Sequence, residues 1–191
     1  MNPEMLSGTL TFRRKVLKMA GASVSVYDSS GQMQLFVNQK AFKLKEDIRI
    51  YSDEGKTDER LLIMARQIID FSAAYDVIDS ATKEKVGALR RKGWSSMVRD
   101  EWEFLDTADN PFGLIQEDSM AMALVRRFMT NLIPQSYDFR VNGASVATLK
   151  QHFNPFVFKA DMNFLPDGIR QLDPRLAIAA AVLLMTIERQ D

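Results

Sequence analysis

Few residues in this chain can do chemistry, and they are widely scattered. His152 is the single histidine, and there is no cysteine. A nucleophile–base pair therefore has one imidazole to draw on, and thiol catalysis is excluded. Gln151 and Phe153 flank His152 in a pattern that reads as a strand end, so its expected role is structural. Neither a Gly-x-Ser-x-Gly elbow nor a His-Glu-x-x-His pair occurs. Gly55-Lys56-Thr57 matches the tail of a phosphate-binding loop, but Ile50 stands where the first glycine belongs. Asp53, Glu54, Asp58 and Glu59 would repel a phosphate there, and the segment reads as a solvated loop.

Metal chemistry is equally thin. Without cysteine, zinc fingers and iron–sulfur ligation are excluded. Asp106, Asn110 and Glu117 fall at the first, fifth and twelfth positions of a calcium loop. Ala108 and Pro111, however, occupy the third and sixth positions, where a ligand and a glycine are needed. No metal, no cofactor and no catalytic residue are expected. The best candidate for a ligand contact is the basic run Arg90-Arg91-Lys92. Strand alternation sends Arg90 and Lys92 to one face and Arg91 to the other. Arg13, Arg14 and Lys15 would complete a patch if the first strand lay beside that run. The competing reading is that all of these are ordinary solvated strand charges.

The elements that must carry these residues are mostly strands. The 191 residues are 46% hydrophobic and 26% charged, values of a globular chain with a sizeable core. The 25 basic and 25 acidic side chains balance, which argues against a nucleic-acid binder. Strands are expected at residues 10–19, 22–27 and 32–37, with the turn Asp28-Ser29-Ser30-Gly31 joining the last two. Residues 69–77 alternate with a period of two, residues 85–92 follow a turn at 79–84, and residues 98–105 set Trp102 and Phe104 against Glu101 and Glu103. Asn142-Gly143 sits between two strand-like segments, a strong hairpin signal. Phe156, Phe158, Ala160, Met162 and Phe164 make a last alternating strand. Ten to twelve strands at this spacing indicate an all-β barrel or sandwich.

Two segments break the pattern. Asp118-Ser119 precedes an apolar stretch with Arg126 and Arg127 near its end, which predicts a short helix at about residues 119–130. At the C-terminal end Asp173 caps and Pro174 opens a run, residues 176–187, that has no polar face. A helix of that length spans about 18 Å at 1.5 Å per residue, too short for a bilayer core that needs about 20 residues. No transmembrane segment is expected, and a helix apolar all round must then be wrapped by protein. No apolar signal region follows Arg13, Arg14 and Lys15, so a cytoplasmic protein is expected.

Many strands closed by one wholly apolar helix is an unusual order. With it come Val26-Tyr27-Asp28-Ser29-Ser30-Gly31, Val77-Ile78-Asp79 and Val86-Gly87-Ala88-Leu89-Arg90-Arg91-Lys92-Gly93-Trp94. Gly113-Leu114-Ile115-Gln116-Glu117-Asp118 and the stretch from Leu172-Asp173 to Met185 complete the series. Together these segments resemble the Tubby C-terminal-like superfamily, in particular its LURP-one-related and phospholipid scramblase-like branch. The resemblance implies a single domain over residues 1–191. Its fold is a closed antiparallel β-barrel of about twelve strands around a central hydrophobic C-terminal α-helix. Scramblases carry a proposed calcium segment before their last helix, and Asp161-Met162-Asn163-Phe164 is faintly similar to it. Leu165 and Pro166 follow here instead of oxygen ligands. The chain also lacks the cysteines and the upstream proline-rich region of scramblases proper.

The expected function is a non-enzymatic binding module that recognises anionic lipid headgroups or a phosphorylated ligand through a basic surface at Arg90, Arg91 and Lys92. This rests on that basic run and on the likeness to Tubby, which binds phosphoinositides. The alternative is a structural or protein-interaction domain with no small ligand. The partner is then an anionic phospholipid or another protein, and not a nucleic acid.

Overall fold

The computed structural model describes residues 8–17, 21–39, 47–66, 73–92, 101–117, 135–152 and 158–187. Twelve antiparallel strands close into a barrel, each paired with its neighbours in sequence. They are β1 (Thr9–Leu17), β2 (Gly21–Tyr27), β3 (Met33–Gln39), β4 (Ile48–Tyr51), β5 (Glu59–Ala65) and β6 (Ala74–Asp79). The second half comprises β7 (Lys85–Arg91), β8 (Glu101–Leu105), β9 (Pro111–Glu117), β10 (Ser136–Val141), β11 (Ala144–Gln151) and β12 (Phe158–Phe164). β1 meets β12 in a register running from Thr9↔Asn163 to Arg14↔Phe158, which removes both sheet edges. A one-turn helix, α1 (Gly168–Gln171), and a long one, α2 (Pro174–Ile187), follow. The sequence reading did not anticipate α1. The helix expected at about 119–130, Gly93 and Trp94 lie outside the described residues.

Alternation builds the wall. Tyr75 and Val77 of β6, and Trp102 and Phe104 of β8, are buried, while Asp76, Glu101 and Glu103 between them point away from the core. The turns that join these strands are chemically specified. Asp28 Oδ1 accepts the amides of Ser30 and Gln32, each at 2.9 Å. Asn142 (φ 50°) and Gly143 (φ 81°) both take the left-handed conformation that a tight two-residue hairpin demands. The β8–β9 register shifts between Phe104, which faces Gly113, and Leu105, which faces Pro111, so that Phe112 is the extra residue. Such bulges increase local twist and help a sheet to curl.

The lumen is filled by α2. Every residue from Leu176 to Thr186 is buried, and the Thr186 hydroxyl is satisfied by donating to the Val182 carbonyl at 2.8 Å. Asp173 caps the helix: its Oδ1 accepts the Arg175 amide at 2.9 Å, and its carbonyl accepts those of Leu176 and Ala177. Ala177, Ala179, Ala180 and Ala181 keep the helix slim enough for a wall that surrounds it. The wall in turn approaches closely at Gly87. A Cβ there would stand 2.7 Å from the Leu105 carbonyl oxygen and 3.1 Å from Leu176 Cδ2. The C-terminal run is thus the hub of the core, as its lack of a polar face predicts. No helix among the described residues is long and apolar enough to cross a membrane.

Candidate functional site

The run at residues 90–92 lies at the end of β7, opposite β8. Arg90 and Lys92 point outward, Arg91 inward. The Arg90 guanidinium donates from Nε and Nη2 to Glu103 Oε2 at 2.8 and 2.6 Å. Lys92 Nζ lies 3.4 Å from Glu103 Oε1 and 3.6 Å from Glu101 Oε2. Arg91 pairs in register with buried Trp102, and its charge acts on the Tyr75 hydroxyl. Burial pushes that phenol up to about 12, with Arg91 opposing the rise. An anion at β7 would therefore compete with two resident carboxylates.

Arg13, Arg14 and Lys15 do not complete this patch. They belong to β1, and the strand order places β1 and β7 six strands apart in either direction around the barrel. The two basic runs stand on opposite sides of the wall, a relation that strand pairing sets and local sequence does not carry.

Several other cations on or beside the strands are matched like Arg90. Arg49 donates to Glu59, and Arg60 reaches Asp58 at 2.7 Å. Lys85 Nζ lies 3.2 Å from Asp76 and 2.6 Å from Asp109. Arg66, just beyond β5, binds Asp76 through Nε at 2.9 Å and Asp109 through Nη2 at 2.7 Å. Hydrogen bonds from Arg66 and Lys85 hold the Asp109 carboxyl at about 2.

His152 follows β11 directly and its Nε2 lies 2.6 Å from Asp161 Oδ2 on β12. Thr11 of β1 donates to the other oxygen of Asp161 at 2.8 Å. Burial raises the Asp161 carboxyl, but the hydrogen bonds from Thr11 and His152 and the nearby charges outweigh it, and the group is held below its ordinary range. Imidazole and hydroxyl thus bind opposite oxygens of one carboxylate, which is not a nucleophile–base arrangement. The sequence located His152 at a strand end but not its partner; only the β11–β12 pairing brings the two together.

The two acidic segments considered for calcium have structural occupations. Asp106 Oδ1 accepts the amides of Ala108 and Asn110, each at 2.8 Å, and Asn163 Oδ1 accepts the Thr9 hydroxyl at 2.5 Å. Among the described residues no three His, Asp or Glu side chains are grouped to hold a metal ion. An open groove of about 530 Å³ runs along β9 and β10, lined by Phe112, Leu114, Gln116, Arg140 and Asn142.

A closed twelve-stranded antiparallel barrel threaded by an apolar C-terminal helix defines a Tubby-like barrel. The family model described as LURP-one-related matches residues 8–185, and the chain belongs to that family, a branch of the Tubby C-terminal-like superfamily. No curated protein and no solved structure matches the chain.

Proposed function

We propose that this barrel is a non-enzymatic binding module of the cytoplasm, a single domain over residues 1–191, that takes an anionic lipid headgroup or a phosphorylated group on its outer surface. The observation that carries this reading is the occupied lumen. Barrels that bind small molecules inside need an open interior, whereas α2 is buried along its length from Leu176 to Thr186. A ligand must therefore meet the wall or the barrel ends. Membership of a family of Tubby-like binding domains and the His152–Asp161–Thr11 geometry support binding over catalysis. The basic run at Arg90, Arg91 and Lys92 is one place for such a ligand, at the cost of displacing Glu101 and Glu103.

Co-sedimentation of the full chain with phosphatidylcholine vesicles, with and without phosphatidylserine, tests the proposal, alongside titration with inositol hexakisphosphate as a soluble phosphate. Salt-sensitive binding to either anionic probe is expected. A chain that binds neither is instead a protein-interaction domain.

A further inference from the structure

The formal neutrality of the chain conceals an uneven wall. Arg13 and Lys15 on β1 and Lys150 on β11 are exposed, and among the described residues none of the three makes an ion pair. Between them on β12 stands Lys159, whose Nζ is 3.9 Å from Asp161 Oδ1. Arg13 faces Lys159 directly across the β1–β12 pair, and Lys150 faces Asp161 across β11–β12. Like charges placed opposite one another in a sheet are destabilising, and the neighbouring strand β2 carries no carboxylate to pair with them. The β2 residues facing Arg13 and Lys15 are Ser25 and Ser23. Arg13 instead lies over the Tyr27 ring, with its guanidinium carbon 4.8 Å from the ring centroid. Among the described residues Asp161 is the one carboxylate set among these side chains, and Thr11 and His152 already bind it.

We propose that Arg13, Lys15, Lys150 and Lys159, on the adjacent outer faces of β1, β11 and β12, form a docking surface for an anionic membrane. The proposal rests on the anionic-ligand reading above and names its partner and place. The shape of the surface selects the partner. Where the barrel concentrates charge on one anion, the cations converge, as Arg66 and Lys85 do on Asp109. Here they are spread over three adjacent strands, about 4.8 Å apart from strand to strand and about 6.7 Å from residue i to i+2. They stand on the convex flank of a cylinder. That flank meets a plane along a strip a few strands wide, and a bilayer surface supplies phosphates at every point of the strip. The hydroxyls of Ser23 and Ser25 beside the cations add donors for the same oxygens.

The test uses the full chain and vesicles of phosphatidylcholine with or without phosphatidylserine. Each basic side chain near such a surface strengthens partitioning about fivefold. Replacing all four (R13S, K15S, K150S, K159S) should therefore weaken partitioning by about two to three orders of magnitude, with the melting temperature retained because Arg13, Lys15 and Lys150 are exposed and half-buried Lys159 makes only a 3.9 Å ion pair. D161N should strengthen binding by removing the negative charge set among them, while R90A/K92A should cost far less than the fourfold change. Vesicle binding that survives the fourfold change, or that R90A/K92A abolishes, overturns this surface and leaves the anionic-ligand reading standing. Binding to inositol hexakisphosphate without binding to vesicles does the same. A native chain that binds neither probe overturns both.

Discussion

Asp79 and Arg175 lie 96 residues apart in sequence, yet Arg175 Nη1 donates to Asp79 Oδ2 at 2.8 Å. The Asp79 side chain is 4% exposed. The same guanidinium donates from Nε and Nη2 to Asp173, the residue that caps α2. One arginine therefore ties the start of the central helix to the end of β6, and seats the hub of the core against its wall.

Removing the cation should be costly. Arg175→Met keeps the aliphatic volume but leaves the Asp79 carboxylate buried without its counter-charge, a change worth about 3 kcal/mol in comparable pairs. Asp79→Asn keeps its shape and should cost less. In a double-mutant cycle followed by urea unfolding, the pair should couple by more than about 1 kcal/mol. Additive effects would show that Arg175 acts through Asp173 alone.

The same carboxyl sets an acid limit. Burial pushes Asp79 up, but hydrogen bonds from Arg175 and from the Thr82 and Ala81 amides outweigh it, leaving the group below its ordinary value of 3.8. Asp109 is likewise held low, at about 2, by Arg66 and Lys85. A carboxyl depressed in the folded state contributes stability that is present above its unfolded pKa and lost as pH falls through the folded one. Stability should therefore decline between about pH 4 and pH 2, and Asp109→Asn should flatten part of that decline. Melting temperatures recorded across this range decide it; a slope unaltered by Asp109→Asn contradicts the assignment.

The strands legible in sequence were those with alternation or a strong turn: β1, the β2–β3 pair joined at Asp28 to Gly31, β6, β7, β8, the β10–β11 hairpin at Asn142-Gly143, and β12. α2 was legible too, because a helix with no polar face has only one place to go. β4, β5 and β9 were not singled out. Ile48 to Tyr51 is only four residues long, and Pro111 to Glu117 invited comparison with a calcium loop because Asp106 and Asn110 build the turn before it. Charge pairing was the larger omission. Arg90-Arg91-Lys92 stands out in sequence as a cationic run, but Glu101 and Glu103 come to it only through the β7–β8 register. Lys150 and Lys159 are unremarkable in sequence and become part of a cationic strip only when β12 closes the barrel on β1. A local run of charge reports composition, whereas net field depends on which strands are neighbours.

Gly87 offers a test of how closely wall and helix fit. Gly87→Val places a branched side chain where even a Cβ meets the Leu105 carbonyl at 2.7 Å and Leu176 at 3.1 Å. Backbone cannot give way there without shifting β8 or α2, and overpacking of this kind typically costs about 1–3 kcal/mol. Thermal melts should show the loss, and a compensating Leu176→Ala should recover part of it. Absence of any recovery would mean that the contact with the β8 backbone, not the contact with the helix, limits the space.

The central helix gives the most severe prediction. Val182 is fully buried in a core of mainly apolar side chains, and Val182→Asp would strand a carboxylate there. An unpaired charge in such a place costs more than the roughly 5–15 kcal/mol by which domains are stable. The variant should lose cooperative unfolding and accumulate in the insoluble fraction, because the strands would lose the face they bury. Leu183→Ala, which only opens a cavity, should remain folded with a loss of about 2–5 kcal/mol. The contrast between the two separates a core that needs hydrocarbon from one that merely needs volume. Soluble Val182→Asp protein with a cooperative melt would show that the barrel stands without its helix, and would overturn the role assigned to α2.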